Sequence, residues 1–140
     1  MHGCNGKMGQ VITGIVNEDA DTVIVAGVDP YDDGHNNYPV FSSIEKCDVE
    51  ADVIIDFASA KAVDALLDYS EAKNIPVVLC TTGLSQEQLN RVNETSKKVA
   101  VLKETINGEN RVILLPKDIE DLVSTSTVLS ADESIKMYLK

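Results

Sequence analysis

The chain has 140 residues, enough for one domain with a real core but too few for a cofactor domain and a full substrate domain together. Its 44% hydrophobic and 25% charged residues are ordinary for a soluble globular protein. The net charge of -11 disfavours nucleic acids and anionic membranes as partners. Any bound phosphate must therefore be held by backbone N–H groups at a helix terminus.

Signals for targeting and for metal binding are weak. No apolar run approaches the roughly 18 residues that span a bilayer, and no basic-then-apolar pattern opens the chain, so the expected location is cytoplasmic. Cys4, Cys47 and Cys80 are odd in number and widely spaced, and His2 and His35 are the only histidines. This argues against a structural zinc site and against a disulfide framework.

The first half of the chain begins with a helix. Apolar residues at helical spacing predict it over residues 7–17, with a stripe that faces a sheet and consists of Met8, Val11, Ile12, Ile15 and Val16. The β-branched run at 22–28 predicts a strand that ends at Asp29, and 42–47 predicts a short helix. Residues 51–57 have the continuous apolar character of a buried parallel strand.

Helices and strands continue to alternate up to residue 103. Ser59 is expected to cap a helix that ends near Asn74, and a strand is expected at 77–80. Ser85, with Gln88 three residues later, predicts a capping box for a helix that reaches about residue 98, and 99–103 predicts a further strand. This alternation indicates an α/β fold with a Rossmann-like, doubly wound, mostly parallel sheet.

The pattern changes after residue 103, which divides the chain into a predicted dinucleotide-binding domain (1–103) and a divergent tail (104–140) without a catalytic pattern. Asn107 and Gly108, which lie between two apolar runs, predict a hairpin or a tight reversal. Residues 117–123 and 131–139 have the pattern of two short helices.

The main chemical signal is the glycine-rich segment that opens the first helix, Gly3-Cys4-Asn5-Gly6-Lys7-Met8-Gly9. Glycines at these positions permit a tight turn, a close approach of the backbone to a pyrophosphate, and packing of the helix near the sheet. Asp29 follows 20 residues after Gly9 at a strand end, where a carboxylate can accept hydrogen bonds from the ribose hydroxyls. The alternatives are a glycine-rich turn without a ligand and a solvated aspartate.

The cofactor preference follows from the residue after Asp29. It is Pro30, so a 2′-phosphate would meet a carboxylate and no adjacent cation, although Lys7 lies near enough to soften this preference. The sequence predicts NADH or NADPH as cofactor, with NADH favoured.

Two further strand ends are candidates for contacts with a ligand. Phe57 follows one strand and is expected either to pack against a nicotinamide ring or to be an aromatic residue of the core. Thr81 and Thr82 follow another and are expected either to donate hydrogen bonds to a carboxamide or carboxylate or to serve only as turn residues.

Three motifs at matching spacings resemble the amino-terminal domain of the 4-hydroxy-tetrahydrodipicolinate reductase (dihydrodipicolinate reductase) family. They are the segments 2–9, 53–57 and 80–84, whose sequences are HGCNGKMG, VIIDF and CTTGL. The resemblance covers about residues 1–103. It implies reduction of a cyclic unsaturated dicarboxylate by a nicotinamide cofactor in lysine and diaminopimelate biosynthesis, and a homo-oligomer, commonly a tetramer. It also implies cofactor contacts at Gly3, Cys4, Asn5, Gly6, Lys7, Met8, Asp29, Cys80, Thr81 and Thr82.

The family's substrate domain has no counterpart in the sequence. Its paired-histidine motif, the following lysine and the Pro-Ser-Gly-Thr turn are missing, and residues 104–107 do not reproduce the family's hinge segment. Neither histidine suits the role of a general acid, so the 140-residue chain is predicted to be inactive alone. A non-catalytic nucleotide-binding or sensor module, and another small oxidoreductase acting on an amino or keto acid, are the alternatives.

The beginning of the chain is short for this fold, because only Met1 and His2 precede Gly3 where a strand is normally found. The central strand is therefore expected to be missing, with unpaired backbone groups on its neighbours. Residues 111–115 are apolar and long enough to fill the gap. A truncated or mis-assembled reading frame is the other explanation.

Overall fold

The computed structural model describes residues 1–103 and the backbone of residues 112–114, and it has the α/β architecture that the sequence predicts. Its helices are α1 (Lys7–Glu18), α2 (Val63–Lys73) and α3 (Gln86–Ser96). Its strands are β1 (Gly27–Val28), β2 (Val40–Phe41), β3 (Ile54–Asp56), β4 (Val77–Leu79), β5 (Val101–Lys103) and β6 (Val112–Leu114). Short 3-10 helices lie at Ile44–Lys46 and Ala60–Ala62.

The sheet has the Rossmann strand order. β1 pairs in parallel with β2, β3 to β5 pair in parallel in chain order, and β6 runs antiparallel to β5. His2 joins the two groups through parallel bridges to Val28 and Asp56. Residues 1–2 therefore stand where the first strand of the fold belongs, and the strand order reverses there, which is where such sheets bind their ligands.

Helices cover both faces of the sheet, as the doubly wound fold requires. Successive residues of a strand point to opposite faces, so each strand contributes to two cores. On one face Ile54, Val77, Leu79 and Val101 pack with the buried apolar residues of α2 and α3, which are Val63, Leu66, Leu67 and Val92. On the other face Ile55, Val78 and Leu102 pack with Ile12 and Val16 of α1.

The predicted apolar stripe of α1 is wrong for three of its five members. Ile12 and Val16 are buried, but Met8, Val11 and Ile15 are 44%, 52% and 51% exposed. The buried line of the helix is formed by Gly9, Ile12 and Val16, and Gly9 packs closely against the backbone of Gly3 and Cys4.

The predicted strand over residues 22–28 is wrong for residues 22–26. A strand is predicted over 22–28, but the strand of the structure is limited to Gly27–Val28, and before it only Ala26 O accepts a hydrogen bond from residues 1–2, from Met1 N at 2.7 Å. Ladder hydrogen bonds need a partner strand on that side, and residues 1–2 reach only its last residues. Residues 1–2 nevertheless make part of the pairing expected of a central strand, since Met1 O accepts from Val28 N at 2.9 Å and His2 O accepts from Phe57 N at 3.0 Å.

The hypothesis that residues 111–115 replace the central strand is also wrong. Val112–Leu114 lies at the far edge of the sheet, paired antiparallel with β5. The chain therefore reverses direction after β5, as a hairpin requires. The two helices predicted at 117–123 and 131–139 lie outside the described residues.

The two predicted serine caps behave differently. Ser85 accepts a hydrogen bond from Gln88 N at 3.2 Å, and Gln88 Oε1 accepts from Ser85 N at 3.1 Å, which confirms the capping box. Ser59 precedes the 3-10 helix at 60–62 but makes no side-chain cap hydrogen bond. α2 ends at Asn74, as expected, and Asn74 adopts the left-handed conformation.

Ser85→Ala is expected to lower the free energy of unfolding by about 1 kcal/mol, because α3 loses the acceptor for its first-turn N–H. Ser59→Ala is the matched control and should change the free energy of unfolding by less than about 0.5 kcal/mol. Urea unfolding followed by circular dichroism measures both, and equal losses for the two variants would contradict the difference in capping.

Candidate functional site

The glycine-rich turn begins at Gly3, which is wedged between the ends of two strands. Its N–H donates to Val28 O at 2.8 Å, and its φ of +79° is in the region that favours glycine. A Cβ at this position would lie 2.9 Å from backbone atoms of Phe57 and Ala58. Gly3 therefore lets the turn pass directly over the carboxyl end of β3.

Gly9 fixes the start of α1 against this turn. A Cβ on Gly9 would lie 2.3 Å from Gly3 O and 2.5 Å from Cys4 O, closer than real atoms approach. A Cβ on Gly6, by contrast, would meet only Gly3 O at 3.4 Å and otherwise open space. The three glycines therefore divide into two that pack against the protein and one that leaves room for a ligand.

The first turn of α1 is free to bind an anion. Gly6 is the N-cap and offers no side chain to the first N–H groups, and the turn contains no acidic residue. Gly6, Lys7 and Met8 are all exposed. Gly6 N donates to Gly3 O at 3.2 Å, but the N–H groups of Lys7 and Met8 lack intrahelical partners. The helix dipole favours negative charge at their position.

Asp29 lies beside the turn, as the sequence predicts. Its Oδ2 accepts from Asn5 N at 3.1 Å and its Oδ1 accepts from Tyr31 N at 3.1 Å. A carboxylate has about four lone-pair positions, so each oxygen retains capacity for another donor. The half-buried Asp29 carboxylate can therefore hold the turn and accept ribose hydroxyls at once.

Asn5 links the turn to the loop that follows β1. Its side-chain amide donates to Tyr31 O and accepts from Asn36 Nδ2, the latter at 2.7 Å. Gln10 Nε2 donates to Asn5 O at 3.1 Å. The side chain of Asn5 is thus used within the protein.

A buried polar network that sequence reasoning missed lies beneath the turn. The Asp56 side chain is fully buried, and its Oδ1 contacts His2 Nδ1 at 2.7 Å while its Oδ2 accepts from Thr81 Oγ1 at 2.5 Å. Ala58 N also donates to Asp56 Oδ1, at 3.2 Å. An aspartate at the end of an otherwise apolar strand was the available signal, because a buried carboxylate requires partners.

The structure places the remaining predicted residues at the same edge of the sheet but alters what their side chains can do. Thr82 is exposed, whereas Thr81 is buried and its hydroxyl is committed to Asp56 and Ala58 O. Phe57 is half-buried and packs against the α1-side core. The side chains available to a ligand here are therefore fewer than the sequence suggests.

The cysteines of the predicted site have little access to a ligand. Cys4 and Cys80 are buried, with exposed fractions of 0% and 4%. Burial, and secondarily the charge of Asp29, raises the pKa of the Cys4 thiol, so it stays protonated at neutral pH. Any contact of Cys4 with a cofactor is therefore expected through its backbone.

Neither histidine is placed for proton transfer at this edge. His2 is buried against Asp56, and His35 is exposed in a loop where Nδ1 contacts Asp33. Within residues 1–103 and 112–114 there is no cluster of three potential metal ligands. No helix in this part of the chain is long and apolar enough to cross a membrane.

The strand order, the glycine turn at its reversal point and the carboxylate after β1 define a Rossmann-type dinucleotide-binding domain. The family model described as "Dihydrodipicolinate reductase, N-terminus" matches residues 1–105. The chain belongs to the dihydrodipicolinate reductase family and contains its amino-terminal, NAD(P)H-binding domain.

Curated relatives support this assignment. The chain is 50% identical over 101 residues to the 4-hydroxy-tetrahydrodipicolinate reductase of Clostridium novyi, covering 72% of this chain and 40% of that protein. It is 43% identical over 119 residues to the enzyme of the same name from Clostridium tetani, covering 84% of this chain and 47% of that protein. The chain thus spans less than half the length of these relatives.

Gly9→Ala is expected to lower the free energy of unfolding by about 3 kcal/mol or more, because its methyl group would overlap two carbonyl groups of the turn. Gly14→Ala, in the same helix, has nothing within 4 Å of the added Cβ and should raise the free energy of unfolding by about 0.5–1 kcal/mol. Thermal and urea unfolding of both variants measure this. Equal effects would show that α1 does not pack on the turn as described.

Proposed function

We propose that this chain supplies the cofactor half of a 4-hydroxy-tetrahydrodipicolinate reductase and binds NADH in preference to NADPH. The observation that carries the proposal is the exposed, uncapped start of α1 with the Asp29 carboxylate beside it. The diphosphate accepts hydrogen bonds from the N–H groups of Lys7 and Met8, whereas Gly6 N already donates to Gly3 O at 3.2 Å. Asp29 accepts hydrogen bonds from the adenosine ribose. The attraction is local, so the net charge of -11 does not oppose it.

The nicotinamide end of the cofactor extends toward the ends of β3 and β4. Thr82 is exposed there and offers donors to the carboxamide, while Thr81 positions the strand ends through Asp56 and Ala58. Phe57 lies at the same edge. One part of its side chain packs against the core, and the other part is exposed. When bound, the cofactor supplies a hydride, and the substrate class is a cyclic unsaturated dicarboxylate, as the names of the relatives and the resemblance indicate.

The described residues account for binding the hydride donor but not for protonating a substrate. A general acid must lie within hydrogen-bond reach of the reacting group, and both described histidines are occupied elsewhere. The reductase activity is therefore assigned to the complete enzyme.

The purified 140-residue chain is expected to bind NADH saturably and to show no steady-state NADH oxidation with the dicarboxylate, because it holds the hydride donor without a proton source. Calorimetry measures the binding and absorbance at the NADH band measures turnover. Turnover above the rate without protein would contradict the second expectation. If coenzyme A or adenine nucleotides bind as tightly as NADH, the result would instead favour a nucleotide-sensing module and contradict the reductase assignment.

NADH is expected to bind more tightly than NADPH, because a 2′-phosphate would face the Asp29 carboxylate without a cation at Pro30. Asp29→Asn keeps an acceptor but removes the charge, so NADH binding should weaken by roughly tenfold while NADPH binding weakens less or improves. Asp32→Asn, in the same loop, is the charge-matched control. The dissociation constants of NADH and NADPH are measured for all three proteins. If the wild-type chain binds NADPH tenfold more tightly than it binds NADH, the proposed preference is refuted.

A further inference from the structure

The side chain of Gln88 makes more hydrogen bonds than the cap of α3 requires. The capping box uses only its Oε1, which accepts from Ser85 N at 3.1 Å, and a glutamate would serve equally well there. Gln88 Nε2 donates instead to Ala60 O at 2.7 Å and to Asp64 Oδ2 at 3.1 Å. The amide nitrogen therefore binds outside α3, to the segment that follows β3.

These partners determine the type of residue that fits at position 88. Ser85 N is a donor, whereas Ala60 O and Asp64 Oδ2 are acceptors, so an amide with its oxygen toward Ser85 N matches all three. A glutamate would keep the contact with Ser85 N but would place an oxygen against the Ala60 carbonyl and the Asp64 carboxylate, which repel it. The link from α3 to the segment after β3 thus depends on the amide nitrogen.

The contact of Gln88 with Ala60 O is a second junction between the loops at the carboxyl ends of β3 and β4. Thr81 Oγ1 makes the first junction, where it donates to Asp56 Oδ2 at 2.5 Å and to Ala58 O at 3.2 Å. The second junction lies farther along both loops. Because the loops are joined at both points, the residues between the junctions are held in place before a ligand binds, which lowers the entropy cost of binding.

Thr82 and Gly83 lie between the two junctions and are exposed. Thr81 before them is buried, and Leu84 after them packs against the core on the α2 and α3 side of the sheet. Gly83 has a φ of +74°, in the region that favours glycine, and a Cβ there would have no atom within 4 Å. The exposed pair therefore borders open space, while the residues on both sides of it are fixed.

We propose that Gln88 is a positioning residue for the nicotinamide end of the cofactor. It holds the loop after β4 to the loop after β3 and so fixes the place of Thr82, which offers donors to the carboxamide. This role rests on the proposed function, since it requires the nicotinamide to lie at this edge of the sheet. The proposed contacts of the diphosphate and the ribose belong to residues 7–8 and Asp29. The hydrogen bonds of Gln88 involve none of these residues, so the adenosine half of the cofactor is expected to bind independently of Gln88.

The test compares two variants of the 140-residue chain with opposite losses. Gln88→Glu keeps the capping box and loses both contacts outside α3, whereas Ser85→Ala loses the side-chain cap and keeps both contacts. Calorimetry measures the dissociation constants of NADH and of ADP-ribose, which has the adenosine and the diphosphate but no nicotinamide. Urea unfolding measures the stability of each variant.

Gln88→Glu is expected to weaken NADH binding by about tenfold and to change ADP-ribose binding by less than about twofold, because only the nicotinamide contacts are displaced. Ser85→Ala is expected to be the less stable variant and yet to bind both ligands within about twofold of the wild-type chain. A purely structural role would make binding follow stability instead. Equal losses of NADH and ADP-ribose binding in Gln88→Glu, or no loss of NADH binding, overturn the role of Gln88 and leave the proposed function intact. A wild-type chain that does not bind NADH contradicts both.

Discussion

The structure depends on the hydrogen bonds that residues 1–3 make to two strands at once. On one side they join β1 through Met1 O and Gly3 N, and on the other they join β3 through His2 N and His2 O. Without them the described sheet would separate into a two-stranded and a four-stranded part. An isolated two-stranded ribbon is marginally stable in water, so this short segment maintains the sheet as one unit.

The position of the glycine-rich turn is determined by these hydrogen bonds of residues 1–3. The chain leaves His2 directly into Gly3, and the Asp56 carboxylate below the turn contacts both His2 and Thr81. A buried carboxyl group with several partners is costly to disturb, because removing one partner leaves a buried polar atom without its hydrogen bond. The network therefore holds the ends of β3 and β4 at a fixed position relative to the start of α1, where the diphosphate is proposed to bind.

Sequence patterns predicted the fold class and most elements because each depends on local chemistry. The capping box at Ser85 and the end of α2 near Asn74 are local and were placed correctly. The glycine turn and Asp29 also came from a local motif, and the structure brings them within hydrogen-bond distance of each other.

The failures concern properties that tertiary context decides. Whether residues 22–26 form a strand depends on a partner, and the apolar character of residues 112–114 suits an edge strand as well as a central one. The exposed fraction of Val11 and Ile15 depends on which line of α1 faces the sheet, which helical spacing alone does not determine. The partners of Asp56 come from residues 2 and 81, too distant in sequence for a pattern to connect them.

The most direct test of the central claim is an NMR titration of the chain with NADH that follows each backbone amide. We predict that the largest saturable shifts fall on the N–H groups of Lys7 and Met8, with smaller shifts at Asp29. The start of α3, whose first-turn N–H is already bound by Ser85, should not respond. Saturable binding that leaves the amides of Lys7 and Met8 unchanged, or no binding to the folded chain, would contradict the account.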